Sequence, residues 1–576
     1  MFIDQVNRMK LSDFIANTLK CKGVNTIFGY QGSSISHLID SINASGIQYI
    51  QNYHEQASAF AACGYSEVTN QLGVAISCSG PGATNLITGI ANAYYDSLPC
   101  LFISGQVSTH EQKQNFARQN GFQETKIVDI VRPITKYAVE IQDPNLIKYE
   151  LEKAISIALS GRRGPVFISL PHNIQSSDIN ADELKGYDWE VENLAIPDFS
   201  SVTEHIKAAG RPVLLIGGGA YELRNLESFK RFVDHFKIPF VSSLKGMLIL
   251  DQDELYKGFL GVYGTRLANF AVYLSDLVIV LGSRLDGRQT GGKKSEFAPN
   301  AKIVHVDCDI NEVNRDIHAD YQYICKCSDF FNELHYSDSD GKDFSSWLTT
   351  LKDIEDSYQD QYSLQNANPY RAIQHICSLF DNTSLVISTD VGQNQMWVAQ
   401  SLNRIKSSYF ITSGGHGTMG YSLPASIGGY YAHAKRYKHV AFMGDGGFQM
   451  NIQELETIRR EKLPIMIVVF VNNSLGLIRD YQSKALGNRL CGSVNGFSVP
   501  NLSKIASAYD MKYIHVVDND FSQLTYEEVA NKAVLVQIDV AQNSVIIPEL
   551  AYQHPIYDMF PFVDLQIIKN KCNKND

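Results

Sequence analysis

The chemistry-bearing positions of this chain begin with Asp445 and the pair Asn472-Asn473, some 27 residues further on. Val440-Ala441-Phe442-Met443 leads into Gly444-Asp445-Gly446-Gly447, and Ile465 to Val471 leads into the asparagines. Apolar runs of that length, bounded by turn residues, read as buried strands. Between them Ile452, Leu455 and Ile458 recur at helical spacing, and Pro464 closes the helix. A strand–helix–strand unit sets both strand ends at the sheet edge where α/β proteins bind ligands. A carboxylate, an amide oxygen and a backbone carbonyl are hard donors suited to Mg²⁺ holding a diphosphate. Gly444, Gly446 and Gly447 let the backbone come close to phosphate oxygens.

Gly-Asp-Gly followed at this distance by an Asn pair, with a strand before each, resembles the thiamine diphosphate signature. Thr412-Ser413-Gly414-Gly415-His416-Gly417-Thr418-Met419-Gly420 and Phe448-Gln449-Met450-Asn451-Ile452-Gln453-Glu454-Leu455 resemble the acetolactate synthase group of that superfamily. Counted without gaps, the resemblance puts the metal-binding asparagine on Asn472 and the carbonyl ligand on Ser474, with Asn473 as a neighbour. It further implies that Gln393, in Ser388 to Trp397, and Gly417 hold the cofactor, and that Met419 props it into a bent shape.

The elements that position these residues must belong to more than one core. A chain of 576 residues is expected to form three domains. Hydrophobic content of 44% with 19% charged residues is that of a water-soluble globular protein. A net charge of −11 argues against a nucleic-acid footprint and offers no polybasic membrane patch. No apolar run approaches the ~20 residues of a membrane helix. The start, Met-Phe-Ile-Asp-Gln, lacks the blocks of a signal peptide, and ten scattered cysteines suit reduced thiols in the cytoplasm. The expected fold class is α/β, with three doubly wound parallel sheets over residues 1–185, 195–335 and 365–560. Polar linkers are expected from Asp198 to Thr203 and from Asp338 to about Asn368.

In the first domain Leu11 to Lys22 is amphipathic, and Val24 to Tyr30 enters a strand that stops at glycine. Glu55 opens a helix of small apolar residues; a glutamate there is ordinarily a dipole partner. The flanks, His54-Glu55-Gln56-Ala57 and Ala61-Ala62-Cys63-Gly64-Tyr65, resemble the family segment whose glutamate touches the aminopyrimidine ring. A carboxyl group donating to that ring favours the imino form that takes up the C2 proton, which makes Glu55 the implied acid–base residue. Tyr30, Gly80 and Asn85 are implied cofactor neighbours, the last two in the Gly-Pro turn after Val74 to Ser77. Gln123 and Lys136, in Phe122-Gln123-Glu124 and Arg132-Pro133-Ile134-Thr135-Lys136, match family residues that reach a partner subunit's active site. The resemblance therefore implies a homodimer or a dimer of dimers.

Arg162 ends the first domain in a family-like Gly-Arg-Arg-Gly-Pro-Val. The second domain opens with a strand and the triplet Gly217-Gly218-Gly219, by itself a weak dinucleotide signal. Gly264-Thr265-Arg266, then Arg284, Asp286 and Arg288, then Asp307 line up with the family's FAD-holding segments. Arginines suit a diphosphate and a strand-end aspartate a ribose hydroxyl. An ADP-binding or empty central domain is the alternative.

The implied activity is a thiamine diphosphate-dependent carboligase that decarboxylates pyruvate and passes the two-carbon unit to a second carbonyl acceptor. Several pocket positions depart from the biosynthetic enzymes. Tyr30-Gln31-Gly32-Ser33 stands for Tyr-Pro-Gly-Gly, Leu285-Asp286-Gly287-Arg288 for Phe-Asp-Asp-Arg, and Asp480-Tyr481-Gln482 for Gln-Trp-Gln. These changes touch the acceptor side, which leaves open pyruvate or a keto-sugar nucleotide as acceptor. A pyruvate oxidase or decarboxylase and a non-catalytic flavin-binding paralogue are the remaining alternatives.

Overall fold

The computed structural model describes residues 8–112, 118–188, 196–250, 254–358, 368–380, 384–402, 409–433, 436–551 and 553–575. The expected domain limits at 195 and 365 lie outside these described residues.

Three six-stranded parallel sheets organise the chain. The first contains β1 (Thr26–Gly29), β2 (Gln48–Gln51), β3 (Gly73–Ser77), β4 (Cys100–Gln106), β5 (Tyr137–Glu140) and β6 (Val166–Pro171). The second contains β7 (Pro212–Ile216), β8 (Phe240–Ser242), β9 (Tyr256–Phe259), β10 (Leu277–Leu281), β11 (Lys302–Asp307) and β12 (Tyr321–Ile324). The third contains β13 (Leu385–Thr389), β14 (Tyr409–Thr412), β15 (Lys438–Gly444), β16 (Ile465–Val471), β17 (Lys512–Val516) and β18 (Val534–Asp539). The outer sheets share one strand order, β2-β1-β3-β4-β6-β5 and β14-β13-β15-β16-β18-β17. The central order, β9-β8-β7-β10-β11-β12, is the 3-2-1-4-5-6 arrangement of dinucleotide-binding sheets. Helices cover both faces, so the central strands are continuous apolar runs; β4 and β16 are buried at every residue.

The helix Glu55–Thr69 is buried along almost its whole length and packs on Ser422–His433 of the third domain. Small residues set this close approach. A Cβ on Gly64 would stand 2.1 Å from the Ala425 carbonyl oxygen, and one on Gly428 1.8 Å from that of Ala61. Below it, Glu454 accepts from Asn52 Nδ2 and from the Tyr53 N–H, each at 2.8 Å, and ties β2's end to the third domain.

Two expected linkers turn out to hold helices. Ser200–Ala208 starts inside the first because the Asp198 carboxylate accepts from the Ser200 N–H at 2.9 Å and its hydroxyl at 3.0 Å. Ser345–Asp356 lies in the second and buries Trp347, Leu351 and Ile354. The C-terminal helix Leu565–Asn575 returns to it, and Ile568 and Cys572 join the central domain's core. The helix expected over Ile452, Leu455 and Ile458 runs from Glu454 to Arg460, and a separate short helix, Asp445–Met450, precedes it. Asn451 stands between the two, with Nδ2 donating to the Gly420 carbonyl at 2.8 Å. Among the described residues no helix is long and apolar enough to cross a membrane.

Candidate active site

In both outer domains the chemistry-bearing residues sit where strands end. Glu55 is the first residue of its helix, capped by His54, whose Nδ1 accepts from the Gln56 N–H at 3.0 Å. Glu55 is buried, 6% exposed, and Asn85 Nδ2 donates to its Oε2 at 2.9 Å. A Cβ on Gly82 would lie 3.1 Å from Glu55 Oε1, so the Gly-Pro turn leaves that oxygen its space. Gly80 has φ 58° and lies against Gln123, itself at φ 63°. Glu55, Asn85, Gly80 and Gln123 thus form one cluster. Tyr30 follows β1 at the same sheet edge and is half-buried to exposed, at 36%.

Lys136 is not drawn into that cluster. Its ammonium donates to the carbonyls of Ile157, at 2.5 Å, and Ser160, at 2.7 Å, at the end of the helix Ile147–Leu159. A cation on the last carbonyls of a helix is a stabilising placement.

In the third domain Gly444 ends β15 and Asp445 starts the next helix. Asp445 Oδ2 accepts from the N–H groups of Asn472, at 3.0 Å, and Asn473, at 2.8 Å, so the carboxylate clamps the end of β16. Burial raises Asp445 to about 6 against these donors. Asn472 Oδ1 accepts from the Ser474 N–H at 3.0 Å, and its Nδ2 faces Gln393 Oε1 at 3.5 Å. Gln393 opens the helix after β13 and donates to the Ser544 carbonyl at 2.8 Å. Asn473 has φ 52°, and its backbone N–H reaches Asp445. A Cβ on Gly446 would meet Leu475, Met419 at 3.4 Å and Phe497, and one on Gly447 would stand 2.5 Å from Asp390 Oδ1. Gly417, at φ 70°, has open space around it.

A metal-bound diphosphate fits this arrangement. The Asp445 carboxylate, the Asn472 amide oxygen and the Ser474 backbone converge beside a glycine cradle. Ser474 Oγ and Asn394 Oδ1 are buried there without a hydrogen-bond partner. Asp390 was not expected at this site. Fully buried, it accepts from the N–H groups of Gly420, at 3.0 Å, and Ser422, at 3.1 Å, and burial lifts it to about 7. It fixes the peptide just after Met419; its place directly after β13 was the signal in the sequence.

The central cleft encloses about 1930 Å³ including its open mouth. Arg162, Gly218, Gly219, Arg284, Asp286, Arg288 and Asp307 line it, so most of the expected dinucleotide residues do converge. Burial raises Asp307 to about 6 at the end of β11. Arg162 pairs with Asp309 at 2.9 Å and Glu312 at 2.5 Å, and Arg284 with Asp286 at 3.3 Å. Gly217 sits behind the cleft, where a Cβ would be 2.1 Å from the Gly282 carbonyl oxygen. Gly264 is held in a turn by Gly261, and Thr265 caps the helix Arg266–Leu274. Arg266 is buried and donates to the carbonyls of Met559, at 3.1 Å, and Pro561, at 2.5 Å, in the C-terminal segment.

Comparison with known proteins accounts for both halves of this geometry. The N-terminal TPP binding domain of thiamine pyrophosphate enzymes matches residues 9–130, the central domain 199–334 and the C-terminal TPP binding domain 390–540. The acetolactate synthase isozyme 2 large subunit of Escherichia coli K12 is 33% identical over 529 residues, 91% of this chain and 94% of its own. The chain belongs to the acetolactate synthase group of thiamine pyrophosphate enzymes. The acetolactate synthase large subunit of Lactococcus lactis is 33% identical, with 93% of each chain covered. A probable acetolactate synthase large subunit of Methanocaldococcus jannaschii is 34% identical, over 89% of this chain and 88% of its own. Thiamine-family membership thus rests on all three domains.

Proposed function

We propose that this chain decarboxylates pyruvate and joins the two-carbon unit to a second carbonyl, as a thiamine diphosphate- and Mg²⁺-dependent carboligase of the acetolactate synthase type. The observation that carries the reading is the pairing of two strand-end sites: buried Glu55 held by Asn85, and Asp445 with Asn472 and Ser474 around a glycine cradle. When bound, thiamine diphosphate supplies an acidic carbon and an electron sink for loss of CO₂. Glu55 holds and returns the proton at the pyrimidine, and Asn85 orients its carboxyl group. Asp445, Asn472 and Ser474 hold Mg²⁺, Gln393 steadies Asn472, and Met419 supports the cofactor beside Gly446.

The glutamate and metal sites belong to different domains, and among the described residues no hydrogen bond joins Glu55 to Asp445. A homodimer or dimer of dimers in which each chain completes the other's site follows from this reading. Phe122, 87% exposed beside Gln123, supports it. FAD in the central cleft is supported by the strand order and by the arginines gathered there. A reducing, cytoplasmic location agrees with ten unpaired cysteines.

For the acceptor, a second reading has its own observation. Tyr481 is 61% exposed on the helix Gly476–Ala485, where Lys484 pairs with Asp480 at 2.7 Å and with Glu549. This charged, hydroxylated neighbourhood favours a polar ketone, such as a keto-sugar nucleotide, beside pyruvate. Mass spectrometry of products from pyruvate, with and without candidate acceptors, tests both readings. 2-Acetolactate or a ligated sugar supports carboligation; acetate with reduced flavin, acetaldehyde alone, or no turnover overturns it in favour of an oxidase, a decarboxylase or a non-catalytic paralogue.

A further inference from the structure

Lys245 stands where all three domains meet. It lies in the turn Leu244–Gly246 after β8, its side chain largely buried. Its stem lies between two glycines of different domains: a Cβ on Gly218 would be 2.9 Å from Lys245 Cβ, and one on Gly414 2.6 Å from its Cγ. Its ammonium pairs with Glu67 at 2.7 Å and Asp96 at 3.8 Å from the first domain, and donates to the Thr412 carbonyl at 2.9 Å in the third. Burial opposes the charge, yet these two carboxylates outweigh it and raise Lys245 above the ordinary lysine value.

The same carboxylates grip the loop from Thr412 to Met419. Glu67 accepts from the Thr412 N–H at 3.4 Å and, just past the loop, from the Tyr421 hydroxyl at 2.6 Å. Asp96 accepts from the N–H groups of Gly414, at 3.0 Å, and Gly415, at 2.6 Å. The His416 ring stacks on Tyr95 at 5.5 Å. Lys245, Glu67, Asp96 and Gly414 also form part of the central cleft's wall. One lysine therefore reaches all three: its Cβ meets the glycine turn of the central cleft, and its ammonium meets the charges that hold the loop and the loop itself.

We propose that Lys245 is a positioning residue that couples occupancy of the central cleft by a dinucleotide to the shape of the Thr412–Met419 loop, and so to the affinity for thiamine diphosphate. The proposal rests on the flavin reading given above. A ligand that orders Gly218 and Lys245 presets the loop, and by linkage each ligand strengthens the other by the same factor. Contiguous packed and hydrogen-bonded groups are the physical means of such coupling.

Calorimetric titration of thiamine diphosphate with Mg²⁺, in the absence and presence of saturating FAD, reads the coupling as a ratio of Kd values. Flavin fluorescence reports FAD binding separately. The natural protein is expected to show a ratio of about 5–150. In K245M each ligand should still bind while the ratio falls to about 1, and K245R should recover part of it. K245M leaves two buried carboxylates without their cation, so the double variant E67Q/K245M, which removes one charge, is measured in parallel. A purely structural role would weaken both affinities and leave the ratio unchanged, which would overturn the proposal, as would a natural protein that binds both ligands with a ratio of 1. No FAD binding alongside normal thiamine diphosphate binding would instead remove the flavin reading, and the coupling with it.

Discussion

The first and third domains are built on the same strand order yet supply opposite halves of one site. Position by position, their strand ends correspond. After the first strand come Tyr30 in one and Asp390 to Gln393 in the other; after the second, Glu55 and the Thr412–Met419 loop. After the third come Gly80 to Asn85 and Asp445 to Gly447; after the fourth, the segment leading to Gln123 and Asn472 to Ser474. The topology delivers four junctions to one edge, and the residues at those junctions decide the chemistry. On the proposed reading, the first domain places an acid that would exchange a proton, and the third places oxygens that would keep a metal and so stay deprotonated when it is bound. One frame, two uses.

The largest test of this division is Glu55→Gln. It should leave the fold and cofactor binding intact while turnover drops by ~10²–10⁴-fold, the usual share of a general acid–base group. Near-natural turnover would remove the first domain's half of the comparison. Asp445→Ala attacks the other half and should abolish Mg²⁺-dependent retention of thiamine diphosphate, measured by calorimetry. Asn472→Ala should weaken it by more than the ~10–100-fold typical of groups behind the ligands. Asn473→Ala should do much less, because only its backbone N–H reaches Asp445. A reversed order for the two asparagines would show that Asn473 is the ligand.

The junctions were legible because an apolar run ending in a turn residue has few other meanings; β16 spans Ile465–Val471, the very run read as a strand. What a charged side chain does at a junction was not. Arg266 reads like a diphosphate ligand, yet its partners are carbonyls 293 and 295 residues away. Lys136 sits in a family-like motif, and its ammonium closes a helix. Glu67, Asp96 and Lys245 each look like a solvated charge in their own segment, and only the packing of three domains joins them. Local pattern fixes strand and helix; long-range partners fix charge.

The central sheet sharpens the comparison by standing outside it, with a different strand order. The purified protein should be yellow, with about one released FAD per chain and no flavin reduction during turnover with pyruvate. A colourless, fully active preparation that gains nothing from added FAD would leave the central domain as a spacer between two thiamine-binding halves.

The smallest expected effect concerns the acceptor, at the edge of the third domain's crevice. Tyr481 places a phenol where the biosynthetic enzymes have an indole, on a helix whose Asp480 and Lys484 are ion-paired. A large apolar ring selects an extra methylene in the acceptor by ~1–3 kcal/mol, so its loss should erase most preference for 2-ketobutyrate over pyruvate. A competition assay at equal concentrations of the two acids should then give mixed products, with neither strongly dominant. Tyr481→Trp should restore apolar area and shift the mixture toward 2-aceto-2-hydroxybutyrate by roughly tenfold, the low end of that range. The charges on the same helix set the limit on this gain, since Lys484, three residues on, stays paired with Asp480 and Glu549 whatever residue 481 is. If the natural protein already yields mainly 2-aceto-2-hydroxybutyrate, the phenol performs the indole's task, and the case for a polar acceptor at this edge of the crevice falls.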